Sequence, residues 1–261
     1  MYTKDQLKTQ LCQIGLKKTD TVLIHTSLRA VGAVEGGADA VIDAFCEYLS
    51  EGLFLVPTHT WASVGRDHPV YDVRTAEPCI GTLPMVAAKR TDGVRSLHPT
   101  HSVWAHGENA AEFIHGEEDA GSPGAPGFCW DRLADAGAKI LLIGVGHNRN
   151  TFIHSVDERA GLPDRLGKAY EAVIIDQQGN ELRRMFRPHC CSRTNDVSQF
   201  YPNFEKPLIE LGAQTMGRLG NADVRVVDAA KCREIILRIY SRAQEDIFCE
   251  HRELPAELYQ P

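Results

Sequence analysis

Long apolar runs are missing from this sequence, and their absence excludes several classes of protein. No stretch approaches the roughly 20 apolar residues that a membrane-spanning helix needs. The opening residues, MYTKDQLKTQL, have the pattern of an amphipathic helix and lack the apolar core of a signal peptide. We therefore expect a cytoplasmic protein that has no membrane partner.

Basic residues are also scarce relative to acidic ones. The chain of 261 residues has 28 Lys and Arg against 35 Asp and Glu, which gives a formal net charge of −7. Binding to nucleic acid depends on clustered basic residues that neutralise phosphates, so this balance argues against a nucleic-acid partner. An acidic protein can instead attract small cationic molecules into a cleft.

Paired-cysteine motifs are absent although the chain has eight cysteines. Only Cys190 and Cys191 are neighbours, and no C-x-x-C pair occurs. This spacing is typical of neither a zinc ribbon nor a disulfide framework. We expect free thiols that act as small buried side chains.

Short apolar runs alternate with helical patterns, which is typical of an α/β layered fold. The pattern predicts strands at 21–25, 54–57, 102–105, 140–145 and 224–227, a hairpin of 170–175 with 181–186, and helices at 37–49, 83–89, 108–114 and 204–211. Asn150 is predicted to cap a helix to about Ala160, and Asp228 a final helix to about Ile247. Residues 61–81 lack periodicity and are predicted to form a long loop. The chain is predicted to be one compact domain, 1–261.

Polar clusters follow several of these strands, where open α/β sheets bind ligands. Catalysis by a nucleophilic serine is disfavoured because no G-x-S-x-G turn occurs. A metal-dependent hydrolase built on His98, His101 and His189 is an alternative, although Pro99 and the lack of an H-E-x-x-H pattern argue against it. A histidine oriented by a carboxylate, with His189 and Glu158 as candidates, is a chemically sound general base.

Five segments together resemble the aminoglycoside 3-N-acetyltransferase family, also called the antibiotic N-acetyltransferases. They are HTSLRAVGAVEGGADAVIDAF, LFLVPTHTW, HPTHSVWAHGENAAEFI, SPGAPGFCWDRLADAGAKILLIGVGHNRNTFIHSVDERAGLP and RPHCCS. The resemblance extends over about residues 5–240. It implies a central mixed sheet flanked by helices, distinct from the commoner acetyltransferase fold, with acetyl-CoA as the donor and no metal.

The resemblance also implies roles for individual residues. The donor would be held by the first strand-end loop, the P-T-H-T loop and the H-P-T-H-S-V segment, which here are Thr26, Ser27, Leu28, Thr58, His98, Ser102 and Val103. His189 and Glu158 would be the catalytic pair in a direct transfer within a ternary complex. Thr60 or a backbone N–H would stabilise the oxyanion.

The acceptor implied by the resemblance is the 3-amino group of a 2-deoxystreptamine aminoglycoside, whose acetylation would confer resistance. A polycation needs carboxylates around it, and the candidates are Asp157, Asp67, Asp72 and Glu77. Two alternatives stay open beside the hydrolase: an acetyltransferase of the same family for a non-antibiotic amine, and a non-catalytic CoA-binding module. The sequence leaves the choice between a monomer and a homodimer open.

Overall fold

The computed structural model describes residues 1–243 and 249–261. Its helices are α1 Lys4–Gln13, α2 Leu28–Val31, α3 Gly37–Tyr48, α4 Thr82–Ala87, α5 Ala110–Phe113, α6 Cys129–Asp135, α7 Phe152–Arg159, α8 Glu205–Glu210 and α9 Ala229–Arg242. Its strands are β1 Thr21–Thr26, β2 Leu53–Pro57, β3 Val70–Asp72, β4 Val94–Arg95, β5 Val103–Gly107, β6 Lys139–Ile143, β7 Tyr170–Ile175, β8 Glu181–Phe186, β9 Gln214–Leu219 and β10 Ala222–Asp228.

The central sheet has seven strands in the order β4-β5-β2-β1-β6-β10-β9. Strand β1 runs parallel to both β2 and β6, whereas β5 and β10 pair with their inner neighbours in the antiparallel sense. The sheet is therefore mixed, and the predicted fold class is confirmed. The three parallel strands end at the same edge, which brings the loops after β1, β2 and β6 together.

Alternate residues of the buried strands face two apolar layers. Leu23, Leu55 and Leu142 pack with α6, α7 and α9, whereas Ile24 and Val56 pack against α1, α3 and α4. Because both faces of the inner strands are covered, these strands are almost continuously apolar, as parallel strands usually are. Among the described residues, no helix combines the length and apolar composition that crossing a lipid bilayer requires.

A second, three-stranded sheet has the order β3-β7-β8. Strands β7 and β8 form the predicted hairpin with the predicted bounds, and Val70 pairs in parallel with Val173. The prediction that residues 61–81 form only a loop is wrong at this point, because β3 lies within them. The apolar core of this sheet includes Val64, Tyr71 and Ile174, too short a pattern to stand out in the sequence.

Other differences between prediction and structure are local. No sequence pattern predicted α2, α6, β4 or β9. Asn150 does not cap α7: the N-cap position is Thr151 without a side-chain hydrogen bond, while the Asn150 amide contacts the His147 ring at 3.3 Å. Asp228 does cap α9 by accepting from the Lys231 N–H, and the predicted end near Ile247 lies outside the described residues.

The seven cysteines other than Cys249 are free thiols, but the expectation that the cysteines are buried is wrong for most of the eight. Only Cys129 and Cys232 are buried, while Cys12, Cys79 and Cys190 are exposed. The composition gave no indication of this exposure because a free thiol can occupy either environment.

Glu117 is a buried carboxylic acid next to the start of α6. Its Oε1 accepts a hydrogen bond from the Cys129 N–H at 2.6 Å, whereas Oε2 has no partner among the described residues. Burial raises the pKa of Glu117 to about 7. Because the folded state binds this proton more tightly than the unfolded chain, the contribution to stability is full at low pH and is lost as pH rises towards 7.

Substituting Glu117→Gln should therefore flatten the pH dependence of the free energy of unfolding. The charged form costs the folded protein about 3 kcal/mol above pH 7, an order of magnitude that follows from the pKa difference. Urea titrations at pH 5 and pH 8 measure this directly, with Glu112→Gln on the exposed face of α5 as the matched control. If the free energy of unfolding changed equally between pH 5 and pH 8 in E117Q and in the unsubstituted protein, Glu117 would not be the group responsible.

Candidate active site

A histidine and a carboxylate meet at the edge of the central sheet. Glu158 lies in the last turn of α7, and His189 follows β8 in a segment that forms a β-bridge with Leu166. The His189 Nε2 atom is 2.9 Å from Glu158 Oε1. The two residues named as a catalytic pair from the sequence are thus neighbours.

The remaining contacts of Glu158 define its charge state and the tautomer of His189. The carboxylate accepts from the Gly124 N–H at 2.7 Å and from the Ser122 hydroxyl. These two donors favour the ionised carboxylate over the neutral acid, which opposes the burial that raises the pKa of Glu158, and an ionised carboxylate can only accept. The His189 ring therefore donates from Nε2 and keeps its lone pair on Nδ1.

The loop that carries Gly124 lies directly against α7. A Cβ atom on Gly124 would be 2.7 Å from the Ser155 Cα atom, a separation that packed atoms do not tolerate. Only glycine allows the backbone to approach this closely and deliver its N–H to Glu158. The glycine- and proline-rich run 121–127 is thus part of the site.

A second histidine that the sequence analysis did not select lies one turn earlier on α7. The Tyr201 hydroxyl donates its single proton to Asp157 Oδ2 at 2.7 Å, and the His154 Nδ1 atom is 2.7 Å from the same hydroxyl oxygen. His154 must then donate from Nδ1, which leaves a lone pair on Nε2. The i, i+3 spacing of His154 and Asp157 was a signal in the sequence, but nothing there indicated Tyr201.

The two imidazoles lie against each other. Their ring centroids are 4.0 Å apart with an angle of 31° between the planes. Burial lowers the pKa of His189 to about 3 and that of His154 well below its usual value. Both rings are therefore neutral at physiological pH and each keeps a lone pair, but the same burial opposes protonation, so an imidazolium here needs the charge of a neighbouring carboxylate. Two adjacent imidazolium ions would repel each other, so only one ring is charged at a time.

Both rings line a cavity of about 810 Å³. Most of the described residues around it come from the loops after β1, β2 and β6, from the 61–81 segment, and from the segment after β8. Three further histidines line it as neutral rings whose pKa values burial lowers: His25, His59 and His101. The volume suits a small organic substrate together with part of a second one.

Comparison with known proteins assigns the chain to a family. The family model for aminoglycoside 3-N-acetyltransferases matches residues 23–240, which is most of the chain. The chain belongs to this family. It is therefore an enzyme of the acyltransferase class, and the predicted family is confirmed.

Individual relatives agree with this assignment. Aminoglycoside N(3)-acetyltransferase VII of Streptomyces paromomycinus is 29% identical over 252 residues, covering 87% of each chain. The crystal structure of the aminoglycoside acetyltransferase AAC(3)-Xa is 28% identical with a TM-score of 0.76, over 89% of this chain and 90% of that one. AAC-IIIb, solved as a binary complex with CoASH, has the same fold at 21% identity and a TM-score of 0.76, over 89% and 93% of the chains.

Among the residues predicted to hold the donor, two face the cavity of this acetyltransferase. Thr26 and Ser27 line it, while Leu28 does not and begins α2. The other predicted donor residues are buried beneath the cavity wall: Thr58, His98, Ser102 and Val103. Thr58 and Ser102 bond to each other at 2.8 Å, so their hydroxyls stabilise the wall from within.

The polar side-chain atoms of Thr60 and His98 are hydrogen-bonded within the protein. The Thr60 hydroxyl donates to the Pro99 carbonyl at 2.6 Å and does not line the cavity. His98 accepts the Thr100 and His101 N–H groups at Nδ1, so its Nε2 donates to the Ser122 carbonyl. A metal ligand needs a free lone pair, and His98 has none, which argues against the hydrolase alternative.

The carboxylates predicted to surround the acceptor do not line the cavity. Asp157 is buried and accepts from Tyr201 and Tyr240. Asp72 pairs with Arg74, and Glu77 with Lys89. Asp67 is exposed outside the lining. In the described part of the chain, no three His, Cys, Asp or Glu side chains form a group that could hold a metal ion.

Proposed function

We propose that this protein transfers the acetyl group of acetyl-CoA directly to a primary amine in a ternary complex. The observation that carries the proposal is the contact between His189 Nε2 and Glu158 Oε1, 2.9 Å apart at the wall of the cavity. Membership of an acetyltransferase family supports the reaction type, and the complex of AAC-IIIb with CoASH supports the donor.

The donor is proposed to enter beside the loop after β1. Thr26 and Ser27 face the cavity there, and Ser27 also caps α2 by accepting from the Ala30 N–H at 3.3 Å. The buried residues Thr58, Ser102 and Val103 are proposed to act indirectly by holding this wall in place. The role of Thr60 is likewise to fix the neighbouring backbone, so a backbone N–H is the proposed oxyanion donor.

The acceptor loses two protons in this reaction, and each of the two adjacent histidines can accept one of them. An acceptor ammonium loses one proton to become a nucleophile and a second when the amide forms. One of these protons ends on the sulfur of CoA and the other reaches solvent. His189, supported by the Glu158 carboxylate, is proposed to take the proton during attack, and His154 to take the other. The transfers are sequential because the two rings cannot both be charged.

Two acceptors have separate support. The 3-amino group of a 2-deoxystreptamine aminoglycoside, whose modification would give resistance, is favoured by the family and by the names of the relatives. A non-antibiotic amine is favoured by the cavity, because Asp196 is the sole carboxylate among the described lining residues and accepts from Ser198.

Release of free thiol from acetyl-CoA by the purified protein tests the reaction. We expect release with at least one amine among gentamicin, apramycin, neomycin and simple amino sugars, with one acetyl group added by mass spectrometry. Thiol release without any acylated amine would indicate thioester hydrolysis. Affinity for CoA without release would indicate a CoA-binding module, and stoichiometric zinc would favour the hydrolase.

A further inference from the structure

The side chains that line the cavity carry more positive than negative charge, which does not suit a polycationic acceptor. Arg66 and Arg149 line it, against the single carboxylate of Asp196 among the described residues. The two hydrogen bonds to the Asp196 side chain both reach Oδ1 and come from Ser198 at the start of a 3-10 helix, so one of its two carboxylate oxygens serves as a cap. An ammonium-rich ligand would meet net positive charge here.

Arg66 is held by the chain segment that also pairs with His189. Its Nη2 donates to the carbonyls of Lys168 at 2.7 Å and Ala169 at 3.2 Å. That segment begins at Leu166, which forms the β-bridge with His189. The guanidinium has five N–H groups in a fixed fork, so this anchoring uses one nitrogen and leaves others for a ligand. Thr26 and Ser27, the proposed donor contacts, lie on a different segment, at the end of β1.

Tyr170 is the second polar group at this position. Its side chain lines the cavity and is only 6% exposed, yet its hydroxyl has no hydrogen-bond partner among the described residues. The Arg66 guanidinium carbon lies 5.8 Å from the centre of the same ring. A buried hydroxyl without a partner is costly unless a ligand satisfies it. An arginine and an unused hydroxyl in one wall form a donor pair suited to an anion.

We infer that Arg66 and Tyr170 form an anion-binding subsite for the acceptor, so that the preferred substrate is an amine carrying a phosphate or carboxylate group. The inference rests on the proposed acetyl transfer and names its acceptor class. Arg66 and Tyr170 would bind the anionic group and thereby place the amine near the stacked His154 and His189.

Steady-state kinetics with glucosamine and glucosamine 6-phosphate test this, because the two amines differ only in the phosphate. We expect kcat/KM to be about ten- to a hundredfold higher for the phosphorylated amine, the range that a hydrogen bond to a charged group represents. Arg66→Gln should bring this ratio to about one, and Arg66→Glu should bring it below one. Tyr170→Phe, which keeps the ring, should lower the ratio partly.

Controls separate the subsite from general effects of charge and folding. Arg183 on β8 is exposed and pairs with Glu171, so Arg183→Gln should leave the ratio unchanged. A ratio of about one in the unsubstituted protein overturns the inference. So does an Arg66→Gln effect confined to the KM of acetyl-CoA, which would assign the anion to the donor. Efficient acetylation of gentamicin with no preference for the phosphate also overturns it but leaves the acetyl transfer intact, whereas inactivity with every amine overturns both.

Discussion

Replacing His189 with alanine is expected to lower kcat by about a hundred- to ten-thousandfold, which is the usual contribution of a general base. Without the His189 ring, no imidazole hydrogen-bonded to Glu158 would remain to accept the proton of the acceptor nitrogen. Affinity for CoA should change little, because the proposed donor contacts lie at the end of β1. Thiol-release kinetics and calorimetric titration with CoA measure the two quantities.

Glu158→Gln is the matched test of the pair. The amide keeps the size of the side chain but removes the charge that stabilises the imidazolium, so kcat should fall by less than in H189A. Turnover of H189A at the unsubstituted rate would remove His189 from the role of base.

The second large effect is expected for His154→Ala, which should lower kcat by about a hundredfold or more while the protein stays folded. The substitution removes one of two neutral rings whose centroids lie 4.0 Å apart. It leaves the bond between Tyr201 and Asp157 in place. Rapid-quench kinetics and a thermal melt separate loss of chemistry from loss of structure.

Tyr201→Phe serves as the companion variant. Phenylalanine keeps the ring but removes the hydroxyl that holds His154 in its Nδ1–H tautomer. We expect a smaller loss of kcat than in H154A, because part of the population retains the productive tautomer. An unaltered kcat in H154A, with H189A inactive, would show that His189 alone handles both protons.

The sequence predicted the central sheet well because its strands carry strong local signals. Buried parallel strands such as Ile140–Ile143 are continuously apolar, and the β7–β8 hairpin is marked by Gly179 within a polar turn. The exposed strand β9 and the three-residue β3 have no such signal. Their pairing depends on partners distant in the chain, and no local pattern records such partners.

Some features of the candidate site could likewise be predicted from the sequence, and others could not. The contact between His189 and Glu158 followed from the family resemblance, although the residues are 31 positions apart. Side-chain direction could not be predicted: Thr58 and Thr60 follow β2 and Ser102 precedes β5, yet all three point into the protein. The chain of His154, Tyr201 and Asp157 joins α7 to a 3-10 helix more than 40 residues away, which no spacing rule would find.

The presence of two sheets has a consequence for how this enzyme can evolve. The loop after β1, which is the proposed donor site, belongs to the seven-stranded sheet, and this sheet shares its core with most of the helices. Arg66 and Tyr170 belong to the wall formed by the small β3-β7-β8 sheet and its flanking loops, which has a separate apolar core. We therefore expect mutations in the small sheet to change the amine that is accepted while the central sheet keeps its stability. Acceptor choice and the stability of the central sheet thus depend on different apolar clusters of this fold.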